Sequence, residues 1–494
     1  MKKLLFFILF ITACSKTENT TEVFSNLDLP KYSKTALEKD FLLLINSLKE
    51  AHTGLYWYNT PTKFDSIVQL QQSKLKDSLN SLEFYNIIAP IIAYTKEDHC
   101  DISLPPDAST YLTEKGKFIP INVIVLNKKT FILNNPDAKT NIKGWQLLEI
   151  NGLKTEAIYR KIFQTFASDG FIEISKYRFM DMYRLSLEYA KTISQPDYFN
   201  IKVKNPDTGQ EKQLVLKACN YKKLAEIRKK LKQESILKTP QEPASISINN
   251  NTALLTVNSF SSDNFEEAGI SFETFIKDAF LKIEKSGVKN LIIDMRENGG
   301  GTEGNEDFLF SFLTNKPYNK YKYVQASAFT YSFYQYTDYN LEDDYKELEA
   351  DLKEEHYKAE DGRILRKPGI QAIEPLKKNA FHGNIFILTS GWTYSGGAEF
   401  SSLMREHTNA IFIGEETGGC FYGNTSGYIF ELTLPNTKTL IDIPILKFVL
   451  DVNKNIPQGR GVLPDYEVEP TIKEFLEGKD IPMEFTKKLI LKTS

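Results

Sequence analysis

Two glycine-rich loops and one serine concentrate the chemistry open to this sequence. The first loop runs Asn290-Leu-Ile-Ile-Asp-Met-Arg-Glu-Asn-Gly-Gly-Gly-Thr-Glu-Gly304, and Gly299, Gly301 and Gly304 have the spacing of a dinucleotide-binding turn. That use needs an acidic residue about twenty positions on to hold a ribose, yet no Asp or Glu occurs between Phe308 and Thr337. A phosphate-binding loop fails too, because no Gly-Lys-Ser/Thr closes it. What remains is a run of backbone N–H groups able to face a developing anion. The second loop, Ile385-Phe-Ile-Leu-Thr-Ser-Gly-Trp-Thr-Tyr-Ser-Gly-Gly-Ala-Glu-Phe400, puts Ser395 where a strand turns into a helix. A serine there either caps the helix or acts as a nucleophile with the Gly396 amide as an oxyanion donor. This loop alone is compatible with both.

A hydroxyl nucleophile needs a base. The candidates are His52, His99, His356, His382 and His407; imidazole titrates near neutrality and so accepts a proton readily at pH 7. No lysine occurs between Lys378 and Lys438. Cys100, Cys219 and Cys420 are widely spaced and form no metal-binding pair, and His356 has no second histidine at ligand spacing. No metal or organic cofactor is expected. Carboxylates are plentiful, but no paired set suits glycoside hydrolysis.

The elements that must hold these loops follow from periodicity. Thr252 to Val257, Val288 to Ile293, Asn384 to Leu388 and Ala410 to Ile413 are apolar runs of strand length, and Phe272 to Ser286 has a helical period. Strand and helix alternating in this way predict an α/β core with functional loops at strand C-terminal ends. Upstream, apolar positions from Lys34 to Tyr94 follow a helical period, and β-branched alternation begins at Phe118. The β-rich unit that follows resembles a PDZ domain through one short stretch, Gly144-Trp-Gln-Leu-Leu-Glu-Ile-Asn-Gly152. Tyr221 to Lys238 carries seven basic residues without interleaved aromatics, the pattern of a solvated linker helix and not of a nucleic-acid surface. The acid-rich Asp343 to Asp361 reads as a solvent-facing helix.

The whole chain has 494 residues, 61 Lys+Arg against 64 Asp+Glu, and 41% hydrophobic content. At about 150 residues per domain this is roughly three domains with ample core material, which excludes disorder, collagen and a polytopic membrane protein. A net charge of −3 gives no overall reason to bind nucleic acid. Lys2 and Lys3, an apolar run to Ile11, and Ile-Thr-Ala before Cys14 form a secretory signal. Its end resembles a bacterial lipobox, which implies cleavage and lipidation at Cys14, with the protein in the cell envelope, periplasmic or at the cell surface, the outer membrane favoured. The expected organisation is a signal peptide at 1–13, lipidated cysteine and tether at 14–33, and a helical N-terminal domain at 34–112. A PDZ-like domain at 113–220, a helical linker at 221–244, an α/β core at 245–480 and a tail at 481–494 follow. The fold class is multidomain α+β.

Four segments in order carry a family resemblance. Asp294-Met-Arg-Glu-Asn-Gly-Gly-Gly, Thr393-Tyr-Ser-Gly-Gly-Ala-Glu, Gly414-Glu-Glu-Thr-Gly-Gly419 and Gly461-Val-Leu-Pro-Asp465 resemble the signatures of the tail-specific, or C-terminal-processing, serine peptidases and their tricorn-like relatives. The resemblance implies a ClpP/crotonase-like catalytic core and peptide hydrolysis through an acyl-enzyme on Ser395, with protein or peptide as substrate. It also implies an oxyanion hole from the amides of Gly396 and of Gly299, Gly300 and Gly301. The lysine base of the bacterial tail-specific branch would fall at Cys420, so a Ser-Lys dyad is not expected. The tricorn-like branch implies a histidine base, and Lys96-Glu-Asp-His-Cys-Asp makes His99 the candidate, with His52 its main rival. Where that branch places a late acid this chain has Gln458, leaving the orienting residue unassigned, with Glu415 and Glu416 as candidates. The alternative function is a catalytically silent peptide- or ligand-binding lipoprotein on the same fold.

Overall fold

The run Asn290-Leu-Ile-Ile-Asp294 is apolar on both faces, and so it must be covered on both. In the computed structural model of the chain Leu291, Ile292 and Ile293 are each exposed by 1% or less. The structure describes residues 23–136, 140–181, 184–234, 242–370 and 375–493; the signal segment and Cys14 lie outside them. Strand Asn290–Asp294 is central in a six-stranded sheet whose order is Tyr466–Glu467, Ile411–Gly414, Asn384–Thr389, Asn290–Asp294, Thr252–Val257 and Ala244–Asn249. All neighbours are parallel except the last pair, which is antiparallel. Helices Phe272–Ser286 and Gly396–His407 cover one face through Ile276, Phe280, Phe400 and Leu403. The other face is covered by helix Ile481–Thr493, whose Met483 and Ile490 pack on Ile292, Phe386, Leu388 and Ile413. The segment expected to be a tail therefore completes the core.

Two further sheets flank this one. The first is antiparallel, in the order His356–Lys358, Ile364–Arg366, Tyr321–Ala326, Leu440–Leu450 and Gly423–Thr433. It shares a single hydrophobic core with the N-terminal helices Lys34–Ala51, Pro61–Gln72 and Ser81–Thr95. The charged segment near Asp343 is a helix only to Glu355; it buries Leu348 and Leu352, and the chain then turns into a strand at His356. The second sheet runs Val123–Leu126, Lys129–Ile132, Gln146–Ile150, Tyr198–Lys204 and Glu211–Lys217, all antiparallel. Helices Thr155–Ile162, Ile174–Met180 and Arg184–Thr192 lie between its third and fourth strands in sequence. The multidomain α+β architecture is thus as expected. Among the described residues no helix is long and apolar enough to cross a membrane.

His52 ends the helix Lys34–Ala51, and its place there has a consequence for stability. Its Nδ1 accepts the Gly54 N–H at 3.1 Å, which puts the neutral ring's proton on Nε2, and burial pulls its pKa down to about 4. Between pH 6.5 and 4 the unfolded chain takes up a proton that the fold refuses, so stability falls as pH falls through this window. The loss from this residue is about 3 kcal/mol. His52→Asn, which keeps an acceptor for Gly54, should flatten that part of a denaturant-derived stability profile; an unchanged slope would refute the assignment.

Candidate active site

The two glycine-rich loops meet at the C-terminal ends of adjacent parallel strands. The Thr393 hydroxyl donates to Met295 O at 2.9 Å and Tyr394 N–H to Asn298 O at 3.0 Å, fastening the serine loop to the triple-glycine loop. The third segment joins them, since Gly418 N–H and Gly419 N–H both donate to Thr393 O, at 2.9 and 3.2 Å. Asn298 is fully buried and ties a further strand, its Nδ2 donating to Val257 O at 3.1 Å. Family-like order in the sequence therefore becomes one hydrogen-bonded cluster.

Ser395 sits at φ +46°, ψ −125°, just before helix Gly396–His407. A non-glycine residue there is strained by roughly 1–3 kcal/mol. It occupies the N-cap position but its hydroxyl caps nothing, and among the described residues Oγ has no hydrogen-bond partner. The capping use that Ser395 could have had is therefore unrealised. The Gly396 N–H, first of the helix, is likewise unclaimed and lies at the positive end of the helix dipole.

The triple-glycine run contributes unequally. Gly300 approaches the serine so closely that a Cβ on it would lie 2.6 Å from Ser395 Cβ, and it has φ +98°, so only glycine fits. Its N–H, however, donates to Asn298 Oδ1 at 2.9 Å and is not available to a ligand. This corrects the expectation that the whole run offers amides. Gly300 O accepts from Phe260 N–H at 2.8 Å, and because the peptide is trans the Gly301 N–H points the opposite way. Gly299 and Gly301 N–H are unclaimed among the described residues.

Several motif residues have structural employment. Arg296 pairs with Asp294 at 2.7 Å and Asp480 at 2.7 Å, tying the strand end to the start of the C-terminal helix. Glu399, one turn after the serine, accepts from Asn424 Nδ2 at 2.8 Å and pairs with Lys320 at 2.9 Å. Lys320 is 2% exposed and also meets Glu306 and Asp307. Burial alone would lower its pKa, but Glu306, Glu399, Tyr321 and Asp307 hold it well above the ordinary lysine value. A lysine so held cannot accept a proton from a serine.

The candidate orienting acids are spoken for. Glu415 receives Arg178 Nε at 2.9 Å and Gly391 N–H at 3.1 Å, clamping helix Ile174–Met180 to the parallel sheet. Glu416 receives Arg460 Nε at 2.7 Å and Gly461 N–H at 2.9 Å. Gln458 is exposed. His52 and His356 are buried with pKa values of about 4, His382 is exposed, and His407 packs on Phe310 and Tyr318.

His99 stands in a short turn closed by Cys100 N–H donating to Glu97 O at 3.0 Å. Glu97 is anchored across the cleft, its Oε2 accepting the Thr425 hydroxyl at 2.9 Å. The His99 Nδ1 is buried without a partner, whereas Nε2 has no protein partner and reaches solvent. The turn is held from the second domain, as Asp98 N–H donates to Asp169 Oδ1 at 2.9 Å and Gly170 N–H to Lys96 O at 2.9 Å. Asp169 was invisible to sequence reasoning: Ser168-Asp-Gly170 reads only as a turn. A cavity of about 680 Å³ flanks this segment, lined by Tyr94, Lys96, Ser168, Phe171 and Lys176; Ser395 is not in its wall.

Known proteins resemble this chain in part of its sequence and in its fold. Residues 251–468 match the family described as Peptidase family S41. Among solved structures, mature CPAF superposes with a TM-score of 0.60 at 15% identity, covering 92% of this chain and 96% of that one. Mature CPAF complexed with lactacystin gives 0.61 at 14% identity, with 92% and 97% covered. The photosystem II D1 C-terminal processing protease gives 0.40 at 13% identity, with 91% and 98% covered. At such identities the likeness to CPAF is one of fold. No curated protein matches the chain by sequence.

Proposed function

We propose, from the premise that residues 251–468 are a peptidase family S41 domain and the chain a serine-type peptidase, that Ser395 is the nucleophile of an endopeptidase anchored by lipid at Cys14. The observation that carries this is the strained serine itself, with an unengaged Oγ beside the unclaimed Gly396 N–H. Ser395 Oγ attacks the scissile carbonyl carbon and its proton passes to His99 Nε2. The carbonyl oxygen, now an anion, is received by the N–H groups of Gly396 and of Gly301 or Gly299. Collapse of the tetrahedral intermediate returns the proton to the leaving amine, and water then repeats the sequence on the acyl-enzyme. One donor in such a hole typically contributes about 3 kcal/mol to the transition state. The chemistry draws on no cofactor, and the substrate is a protein or peptide at the bacterial cell envelope.

Lysine is replaced at the family's alternative base position by Cys420, and Lys320 is held protonated by acids, so histidine is the base that this reading requires. A serine-reactive fluorophosphonate should label the chain once, on the peptide containing Ser395, faster native than unfolded. Labelling no faster than the unfolded chain's would sink the nucleophile and leave a silent binding protein on the same fold.

A further inference from the structure

Three carboxylates stand around the His99 turn: the buried Glu97 and Asp169 and the half-buried Asp98. We propose that Asp169, brought from the second domain, is the positioning residue for the base, its Oδ2 accepting the Nδ1–H of His99 and so turning Nε2 toward Ser395. This rests on the peptidase reading above and names the acid that the exposed Gln458 does not supply.

Three buried polar atoms at this turn lack partners: Asp169 Oδ2, His99 Nδ1 and Glu97 Oε1. Asp169 is 1% exposed; its Oδ1 is held by Asp98 N–H, and its Oδ2 is buried without a partner. The His99 Nδ1 is the complementary buried orphan on the same turn. No hydrogen bond joins them in this arrangement, and each unmet buried group costs about 1–3 kcal/mol, so one bond between them relieves both. Asp169 also lies near the backbone of Ser395. A single methyl placed on Gly419 would lie 3.3 Å from Ser395 N and 3.7 Å from Asp169 Oδ2. The carboxylate therefore belongs to the serine's own surroundings.

The neighbouring acids fit the task less well. Glu97 spends Oε2 on the Thr425 N–H and hydroxyl, and burial, then Asp169, push its pKa well up, which disfavours its carboxylate form. Asp98 is likewise pushed well up by burial, then by Asp169 and Asp101. Burial raises Asp169 also, but there the leading opposing influence is His99, followed by the N–H groups of Asp98 and Cys420. The groups facing Asp169 are Tyr58, Glu97, Asp98, His99, Tyr394 and Cys420; His99 alone is a cation when protonated. The segment's place explains the substitution at 458. Phe171 N–H donates to Gly459 O at 2.7 Å, so the turn bearing Asp169 abuts the loop where the family resemblance sets its late acid.

The test is nitrogen NMR of His99 in the full-length Ser395→Ala protein, assigned by loss of its signals in Ser395→Ala/His99→Asn. A carboxylate at Nδ1 requires the neutral ring to be the Nδ1–H tautomer, whereas the Nε2–H tautomer would overturn the proposal. Adding Asp169→Asn should shift the neutral ring away from the Nδ1–H tautomer; an unchanged tautomer ratio in a variant with normal melting would also overturn it. In the active protein Asp169→Asn should cut kcat by about a hundred-fold to ten-thousand-fold with KM within about threefold, and Asp169→Glu should recover part of the loss. The tautomer reports on the pair whether or not Ser395 turns over peptide. Failure of the peptidase reading and failure of this inference are therefore separate results.

Discussion

Ser395→Ala should lose peptide hydrolysis by about ten-thousand-fold to a million-fold while keeping the fold, the scale typical of removing a serine nucleophile. The stability half of this result follows from the same observation as the activity half. Because Oγ caps no helix N–H and has no partner among the described residues, deleting it removes no hydrogen bond. The change in unfolding free energy should stay within about 0.5 kcal/mol. Alanine keeps the φ +46° strain, so Ser395→Gly should be at least as stable as the alanine variant and equally inactive. A serine kept for capping would behave oppositely, with loss of stability and no loss of rate. Hydrolysis of a peptide pool by the purified variant at more than about one per cent of the parent rate would refute the nucleophile.

The legibility of the fold was uneven, and for identifiable reasons. Thr252–Val257 and Asn290–Asp294 could be read as strands because parallel strands covered on both faces are continuous apolar runs, and Phe272–Ser286 because one of its faces alone is apolar. The antiparallel sheet was hidden. Tyr321–Ala326 alternates only weakly, and its inner face packs on helices more than 200 residues earlier, which made the N-terminal helices look like a separate domain. The helix Ile481–Thr493 resembled a tail because only the underside of the parallel sheet gives its few apolar residues a purpose.

The site divided in the same way. Ser395 and the glycine runs were legible because each needs a local backbone conformation that only certain residues tolerate, and short motifs record local constraints. Which amide is free was not legible: Gly300 is lost to the hole through the side chain of Asn298, a motif residue whose hydrogen-bond partner the sequence does not reveal. Glu415 and Glu416 were plausible orienters by proximity in sequence, yet Arg178 and Arg460 reach them from elsewhere. Asp169 was illegible for the converse reason, since a position 70 residues beyond His99 becomes its neighbour only through the docking of the second domain. A charge at a site is set by its partners, and partners are a property of the tertiary fold.

His99→Ala should reduce kcat about as much as Ser395→Ala, and the double variant should be no worse than either alone, because nucleophile and base act as one unit. Two buried rivals fail on their environment. His52 is a far weaker base at a pKa of about 4, and Lys320 has its proton locked in place by Glu306 and Glu399. His99 alone combines a buried Nδ1, a solvent-reaching Nε2 and an adjacent carboxylate. Alanine at 99 also opens a void beside the cleft, so exogenous imidazole should restore part of the lost rate in a concentration-dependent manner, and should restore nothing in Ser395→Ala. That contrast separates a missing proton acceptor from a damaged fold, which added imidazole does not repair. A His99→Ala protein that hydrolyses peptide within about tenfold of the parent rate would remove histidine from the mechanism.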